Sequence, residues 1–320
     1  MFLALTLLGC PSAPSTPATS PSSDTSTVPT SPAPTSPPRD TADTATAPPA
    51  PASFAAELVD GALTLRSNVP RLVVDCVPGA WACDDVDADG LTDAWEDGLL
   101  DRLRPSLRFD ESEPLLDDAT AVLAYVARVA PVGERVRAFV MVGYSVDYGR
   151  CGLSGHNGDS ERVALDLQPL AEGPGDAVLV GAYTAAHEGT VNDHGRVFVG
   201  DDLALLAFPG DPADGQPRWR VWPSDGKHAT YGTLDDCEVF GLPCLEEDCE
   251  ADGVADPAPY TRLPPIVNAG EPDHPRLTSL GAVGFPGDDA WADQDFCGGL
   301  GGLLCSSPVV EKLTVDPFAP

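Results

Sequence analysis

The sequence predicts a mainly β protein, an antiparallel β-sandwich with long loops pinned by disulfides and one short helix. From about residue 105, apolar runs of strand length follow one another, separated by Gly, Pro, Asp and Asn. No helical period of any length lies between them, which favours an antiparallel sandwich over an alternating parallel fold. The C-terminal third is rich in Gly, Pro and Cys, so we expect long disulfide-pinned loops there. The apolar runs lie at 121–130, 135–149, 162–167, 177–186 and 196–200.

The short helix follows an acidic stretch, DDVDADGLTDAWE, at residues 84–96. Pro105 ends the helix, since proline cannot continue the backbone hydrogen-bond ladder. An apolar side chain recurs at every fourth position and predicts one buried face, which consists of Leu91, Trp95, Leu99 and Leu103.

The acidic stretch also has the ligand spacing of a twelve-residue calcium loop. Oxygen ligands at alternate positions, a glycine (Gly90) for the sharp turn and a closing glutamate are what a hard cation requires. The alternative is an acidic turn that only caps the helix. The stretch resembles the loops of EF-hands and thrombospondin type 3 repeats, and a single copy suggests a structural staple rather than a switch. The predicted ligands are Asp85, Asp87, Asp89, the carbonyl of Leu91, Asp93 and Glu96.

By composition, the 320-residue chain divides into four parts. Residues 1–10, MFLALTLLGC, end in Leu-Leu-Gly-Cys, which resembles a bacterial lipobox and predicts that Cys10 is lipidated. Residues 11–52 are almost all Pro, Ser, Thr and Ala, and they predict a disordered linker. Residues 53–104 form an N-terminal segment with the calcium loop and helix, and residues 105–320 form the sandwich. We therefore expect a bacterial envelope protein, either an outer-membrane lipoprotein or one on the extracellular surface.

The net charge of -32 limits the partners of the protein. A chain this acidic repels phosphate, so it is a poor candidate for binding nucleic acid or anionic lipid. Its contact with the membrane is expected through the lipid anchor only. The acidity suits divalent cations, although it could equally serve only to keep an exposed protein soluble.

The cysteine count agrees with export. Without the lipobox Cys10, eight of the nine cysteines remain, which allows up to four disulfides. Short loops favour two local pairs, Cys76 with Cys83 and Cys297 with Cys305. The alternative for part of the set is a zinc cluster, but no CxxC spacing is present. Its ligands would be Cys237, Cys244 and Cys249.

The stretch GLSGHNGDSERVALDLQPL, residues 152–170, raises a question of charge. Its apolar positions alternate as in a half-buried strand, with Val163, Leu165 and Leu167 facing the core. The same parity places Asp159 and Glu161 on that face. An unpaired buried carboxylate costs several kcal/mol, so we expect something to neutralise both.

The neutraliser could be a metal ion, a histidine or a lysine. A divalent cation, such as magnesium, calcium, manganese or zinc, could be held by His156, Asp159 and Glu161, with His187 or His228 close by. Alternatively, the carboxylates belong to a buried salt-bridged network that fixes the sandwich. In that case Lys227 is the expected partner of Glu161.

Five short motifs resemble successive landmarks of the vacuolar protein sorting-associated protein 62 family: LRPSLRFDESEP, GHNGDSERV, AYTAAHEG, WPSDGKHATY and NAGEP. They span roughly residues 103 to 300. The central motif also resembles the G-H-R-H-D-W-E heptapeptide of necrosis-inducing toxins, which implies a β-sandwich that holds a divalent cation. Both families have Trp where this chain has Ser160. Since Ser160 points away from the carboxylate face, we expect this change to leave the candidate metal ligands in place.

The sequence predicts a calcium-supported surface module that binds a glycan, a lipid headgroup or a neighbouring protein. Glycan binding would need exposed aromatic side chains, and the candidates are Trp219, Trp222, Tyr231 and Trp291. The alternative is a metal-dependent hydrolase that uses the His/Asp/Glu cluster. Its candidate catalytic residues are His156, His187 and His228, although neither a G-x-S-x-G elbow nor an H-E-x-x-H motif is present.

Overall fold

Two β-sheets and a short helix surround the main core in the computed structural model of the chain. The described residues all lie within one unit, Pro49–Pro320. The lipobox Cys10, nearly all of the linker and the predicted pair Cys297–Cys305 lie outside the described residues. The structure describes residues 52–76, 83–118, 121, 123–149, 155–188, 193–211, 214–237, 247–255, 266–278 and 309–319.

The described strands confirm the mainly β class and the sandwich. All five apolar runs named above contain a strand, because alternating or continuous apolar residues bury one or both faces of a sheet. In chain order the strands are β1 (Phe54–Val59), β2 (Ala62–Ser67), β3 (Ser106–Phe109), β4 (Leu123–Val132), β5 (Arg135–Asp147), β6 (His156–Pro169), β7 (Ala177–Thr184), β8 (Arg196–Val199), β9 (Arg220–Pro223), β10 (Thr230–Tyr231), β11 (Val254–Ala255) and β12 (Val267–Asn268).

The larger sheet has the order β1-β2-β7-β6-β5-β4-β12, and β8 also pairs with β7. Its centre is the antiparallel run β4, β5, β6 and β7. The smaller sheet has the order β10-β9-β3-β11. Two short pairs are parallel rather than antiparallel, β12 with β4 and β3 with β9. Each joins segments that are distant in sequence, so no hairpin constrains their direction.

The β1–β2 hairpin was not predicted from the sequence. Its turn is Asp60–Gly61, and both residues have positive φ, 51° and 84°. An Asp-Gly pair between apolar alternations is the strongest short signal for such a hairpin, so it could have been found. Because β2 pairs with β7, residues 53–104 share the larger sheet with residues 105–320.

The helices are α1 (Asp93–Leu103), α2 (Leu234–Cys237), α3 (Pro275–Thr278) and α4 (Val309–Thr314). The predicted apolar face of α1 is buried, and Trp95 and Leu99 are fully inaccessible. This face packs in the main core with side chains of both sheets, such as Phe109 and Val142. The second face of the larger sheet is covered by another core cluster, which contains Leu277 of α3 and Leu313 of α4. Within the described part of the chain, no helix is long and apolar enough to cross a membrane.

Candidate functional site

The acidic stretch folds into a tight loop before α1. Ala88 and Gly90 have positive φ, 61° and 93°, which turns the backbone around the loop centre. The carboxylate of Asp85 accepts hydrogen bonds from the N–H groups of Asp89 (3.2 Å) and Gly90 (3.1 Å). One oxygen of Asp89 accepts from the N–H of Leu91 at 2.7 Å. The backbone thus holds the acidic side chains on the inner side of the turn.

The loop is fixed at both ends. Leu72 and Leu91 form an antiparallel bridge, in which Val73 donates to the carbonyl of Gly90 (3.1 Å) and Thr92 donates to the carbonyl of Arg71 (3.0 Å). This bridge does not use the carbonyl of Leu91, the predicted backbone ligand. The predicted disulfide Cys76–Cys83 is confirmed, and it joins the end of the bridging segment to the start of the loop.

Several carboxylate oxygens of the loop are buried and have no hydrogen-bond partner in the described part of the chain. They are both oxygens of Asp87, one of Asp89 and both of Glu96. Glu96 is completely inaccessible to solvent. Single oxygens of Asp85, Asp87 and Asp89 lie within 4.8 Å of one another, as do those of Asp87, Asp93 and Glu96. The five predicted carboxylate ligands therefore bring oxygens close together in two overlapping groups, with Asp87 in both.

Burial and the charges of neighbouring carboxylates raise the pKa values of Asp87, Asp89 and Glu96. Desolvation is the largest cause for Glu96, whose pKa rises to about 10, with further contributions from Asp89 and Asp87. Burial also raises the pKa of Asp89 to about 7, against the opposing hydrogen bond from Leu91. A divalent cation is the ordinary way to hold several such groups ionised in one place.

The second predicted cluster lies on β6. Asp159 and Glu161 are buried, on the same face as Val163 and Leu165, which are completely inaccessible. Asp159 is paired in register with Tyr144 of β5. His156 begins the strand, but its side chain lies outside the description.

His228 provides the counter-charge for Asp159. Its Nδ1 lies 3.2 Å from an oxygen of Asp159, and its Nε2 lies 3.4 Å from an oxygen of Glu113. The imidazole is fully buried and stacks on Tyr144 with a centroid distance of 4.0 Å. Desolvation opposes protonation, but the hydrogen bonds and charges of the two carboxylates outweigh it and raise the pKa of His228 to about 10. His228 is therefore a buried imidazolium between two carboxylates.

Glu161 has a different cationic neighbour from the one expected. Lys227 lies 3.6 Å from Glu247, so the expected pair of Lys227 with Glu161 is wrong. The cation near Glu161 is Lys312 of α4, which is completely buried and donates to the carbonyl and, at 3.2 Å, the hydroxyl of Ser160. Burial raises the pKa of Glu161 well above its ordinary range, and Lys312 opposes that shift. Ser160, where the resembling families have Trp, thus accommodates this lysine.

His187 also has a different partner from the ones predicted, Asp159 and Glu161. Its backbone has a positive φ of 55°, and its Nε2 lies 2.8 Å from an oxygen of Glu247. Four buried carboxylates, Glu113, Asp159, Glu161 and Glu247, thus face three cations, His228, Lys227 and Lys312, with His187 beside Glu247. These contacts favour the salt-bridged network over a shared cation. Within the described residues, both groups spaced to hold a metal lie in the calcium loop.

Two of the binding features considered from the sequence differ in the structure. Trp219, Trp222 and Tyr231 are buried rather than displayed, and Trp291 lies outside the described residues. Cys237 and Cys249 form a disulfide, which removes two of the three ligands of the zinc alternative. Cys244, the third, lies outside the described residues.

Sequence reasoning missed Glu113, Glu247 and Lys312. The WPSDGKHATY motif did point to His228, but no periodic pattern in one sequence pairs it with Glu113, which lies 115 residues away. Lys312 is in a segment of ordinary helical composition, VVEKLT. Only the two buried acids on β6 indicated that a cation should exist.

Comparisons with known proteins add little. No family model matches the sequence. No curated protein matches it either. A solved structure described as "Toxin fold for microbial attack and plant defense" is similar at 16% identity, over 52% of this chain and 87% of that chain, with a TM-score of 0.27. A similarity this weak carries no argument about fold or function, and the likeness to the vacuolar family remains one of short motifs.

Proposed function

We propose that the chain is a calcium-binding module of the bacterial cell surface, attached through a lipid on Cys10. In this proposal, calcium in the loop from Asp85 to Glu96 stabilises the folded domain. The observation that supports it best is Glu96, which is fully buried with neither carboxylate oxygen partnered. Because an unpaired buried carboxylate is costly, a closing glutamate in this position is best explained by a cation.

The position of the loop supports a structural role for the ion. Trp95 and Leu99 of α1 pack in the main core, while the first turn of the same helix carries Asp93 and Glu96. An ion in the loop would hold this helix to the Leu72–Leu91 bridge and the disulfide beside it. A lone loop of this kind is expected to have the modest affinity of extracellular modules, roughly 0.1 to 1 mM. The stabilised domain would then present a surface to a glycan, a lipid headgroup or a neighbouring protein.

The hydrolase alternative has less support. His228 is completely buried and held on both nitrogens, so it offers no group to a substrate. His187 is more exposed but is bound to Glu247. A second cation at His156, Asp159 and Glu161 remains a prediction. Metal analysis of the wild-type protein against Asp159→Ala and Glu161→Ala tests it.

The melting temperature as a function of calcium tests the proposed function. Calcium at about 100 times its Kd should stabilise the folded state by about 2.7 kcal/mol, a rise of roughly 5 to 10 °C for a domain of this size. Asp89→Ala should lose most of that rise. The matched control is Asp84→Ala, which removes an exposed carboxylate beside the loop and should keep the full rise.

A second variant separates calcium binding from general damage to the loop. Glu96→Gln keeps the side-chain shape but removes the charge, so the calcium-free protein should melt within about 2 °C of wild type. The calcium-dependent rise should nevertheless disappear, since the closing ligand is lost. An undiminished rise in both Asp89→Ala and Glu96→Gln would contradict the proposal.

A further inference from the structure

A half-open cavity of about 110 Å³ lies directly beside the calcium loop. One wall consists of Asp87, Asp93 and Asp97, with the exposed side chain of Val86 at the rim. Asp87 and Asp93 also belong to the carboxylate group that includes the buried Glu96. An ion in the loop would therefore sit at the wall of this cavity rather than behind a closed protein surface.

The opposite wall comes from a distant segment of the chain, which contributes Asn268, Gly270 and His274. β12 fixes this segment to β4, and the next residue, Ala269, donates to the carbonyl of Ala127 at 2.6 Å. Glu271 forms a two-pronged pair with Arg128, at 2.9 and 2.8 Å. These contacts hold the second wall in place independently of the loop.

Gly270 permits the close approach of the two walls. It has a φ of +73°, and a Cβ atom there would lie 3.0 Å from both an oxygen of Asp87 and the ring of His274. Any side chain would therefore fill the space between loop and segment. The absence of one leaves the imidazole of His274 and the amide of Asn268 facing the cavity.

The ninth position of the loop is Asp93, one of the cavity residues. In twelve-residue calcium loops this position often reaches the ion through a water molecule. A water held there would face the cavity and could be replaced by an oxygen atom from outside. We propose that this cavity is a binding subsite in which a neutral sugar coordinates the bound calcium through one of its hydroxyl groups. This inference rests on the calcium binding proposed above.

The charge of the site selects the class of ligand. A single calcium ion leaves an excess of negative charge among its surroundings, so an anionic ligand is repelled. An ammonium group has no lone pair with which to bind the metal. A sugar hydroxyl has lone pairs and no charge, and it can exchange hydrogen bonds with Asn268, His274 and the free carboxylate oxygens. Within the described part of the chain, the buried carboxylate oxygens of the loop without a hydrogen-bond partner belong to Asp87, Asp89 and Glu96.

Terbium luminescence in the full chain tests the inference, because Tb³⁺ is a hard cation that replaces calcium. Trp95, buried beside Glu96, should sensitise its emission. Decay times in H₂O and D₂O count the waters on the ion. We expect at least one water, and about one should be lost in a saturable manner as methyl α-mannoside or methyl α-galactoside is added. The corresponding methyl galacturonide should act only at higher concentration.

Single substitutions test whether the glycoside binds in this cavity. His274→Ala should raise the glycoside concentration needed by roughly five- to tenfold, the loss of one hydrogen bond, without changing terbium affinity. His194→Ala, an exposed histidine elsewhere, should behave as wild type. A bound ion with no exchangeable water, no response to either glycoside, a stronger response to the galacturonide, or an unaltered His274→Ala response would overturn the inference while calcium binding stands. Failure of terbium to bind at all would instead overturn the proposed function.

Discussion

His228 is a buried cation whose ring nitrogens both face carboxylates, Asp159 and Glu113. Its pKa in the folded protein is about 10, above the value of 6.5 for a free histidine. A raised folded pKa adds stability that is fully present below pH 6.5 and is lost as the pH rises through 10. Tyr144 stacks on the ring, and Tyr148 meets it edge-on.

The free energy of unfolding should therefore fall between pH 7 and pH 10, by an amount on the order of a few kcal/mol. His228→Gln cannot carry the charge, so its unfolding free energy should be lower at pH 7 and should depend less on pH over this range. Denaturant unfolding at several pH values measures both quantities. His194→Gln is the control and should follow wild type. Parallel curves for His228→Gln and wild type would contradict a buried imidazolium.

The faces of side chains could be read from the sequence, whereas their distant partners could not. The parity of β6 correctly placed Asp159 and Glu161 with Val163, because alternation along a strand is a local property. Which cation meets each acid depends on how segments far apart in sequence pack. Glu113 precedes β6 in the chain and Lys312 follows it, and no local sequence pattern identifies either residue as a partner of this strand.

α4 is a short helix whose sequence gives little indication of its importance. Lys312 is completely buried and donates to Ser160 of β6. Arg162, the next residue on the same face of β6, donates to the carbonyls of Lys312 (2.9 Å) and Val315 (2.7 Å), at the C-terminal end of the helix. Cations at this end of a helix satisfy carbonyls that have no partner within it. The outer face of the larger sheet is thus joined to α4 by polar contacts as well as by Leu313.

Lys312→Met should destabilise the domain by about 1 to 3 kcal/mol, since it leaves the carbonyl and hydroxyl of Ser160 buried without a partner. Lys227→Met is the matched comparison and should cost less, because Glu247 keeps its contact with His187. Denaturant unfolding measures the loss of unfolding free energy in both variants and shows which loss is larger. A larger loss for Lys227→Met would restore the original expectation that Lys227 is the main counter-charge.

The electrostatic interaction between Lys312 and Glu161 also predicts non-additivity. Glu161→Gln removes the carboxylate whose pKa Lys312 lowers, so the double variant Glu161→Gln with Lys312→Met should cost less than the sum of the two single changes. If the double variant loses as much stability as the sum of the two single changes, Lys312 acts on Ser160 alone.

The molecule as a whole joins elements that composition alone would place in separate parts. The acidic loop was recognisable because its carboxylates lie within twelve residues, and the five main strands because their apolar runs are continuous. The second wall of the cavity was not recognisable, since Asn268 and His274 approach Asp87 only through the parallel pairing of β12 with β4. Local chemistry therefore predicted the elements, and long-range pairing determined which of them form a site.

The proposed attachment of the molecule to a membrane depends on Cys10. The sequence Leu-Leu-Gly-Cys precedes a linker, residues 11–52, that lacks the apolar residues needed for a core. Extended at roughly 3.1 Å per residue, this linker could hold the folded domain up to about 130 Å from a membrane. One acyl chain binds weakly, so stable attachment requires at least two.

Cys10→Ser should move the protein from the detergent phase to the aqueous phase in Triton X-114 partitioning, and globomycin should block processing of the wild type. Ser12→Ala, two residues beyond, should partition as wild type. If Cys10→Ser remains with the membrane fraction, the anchor lies elsewhere.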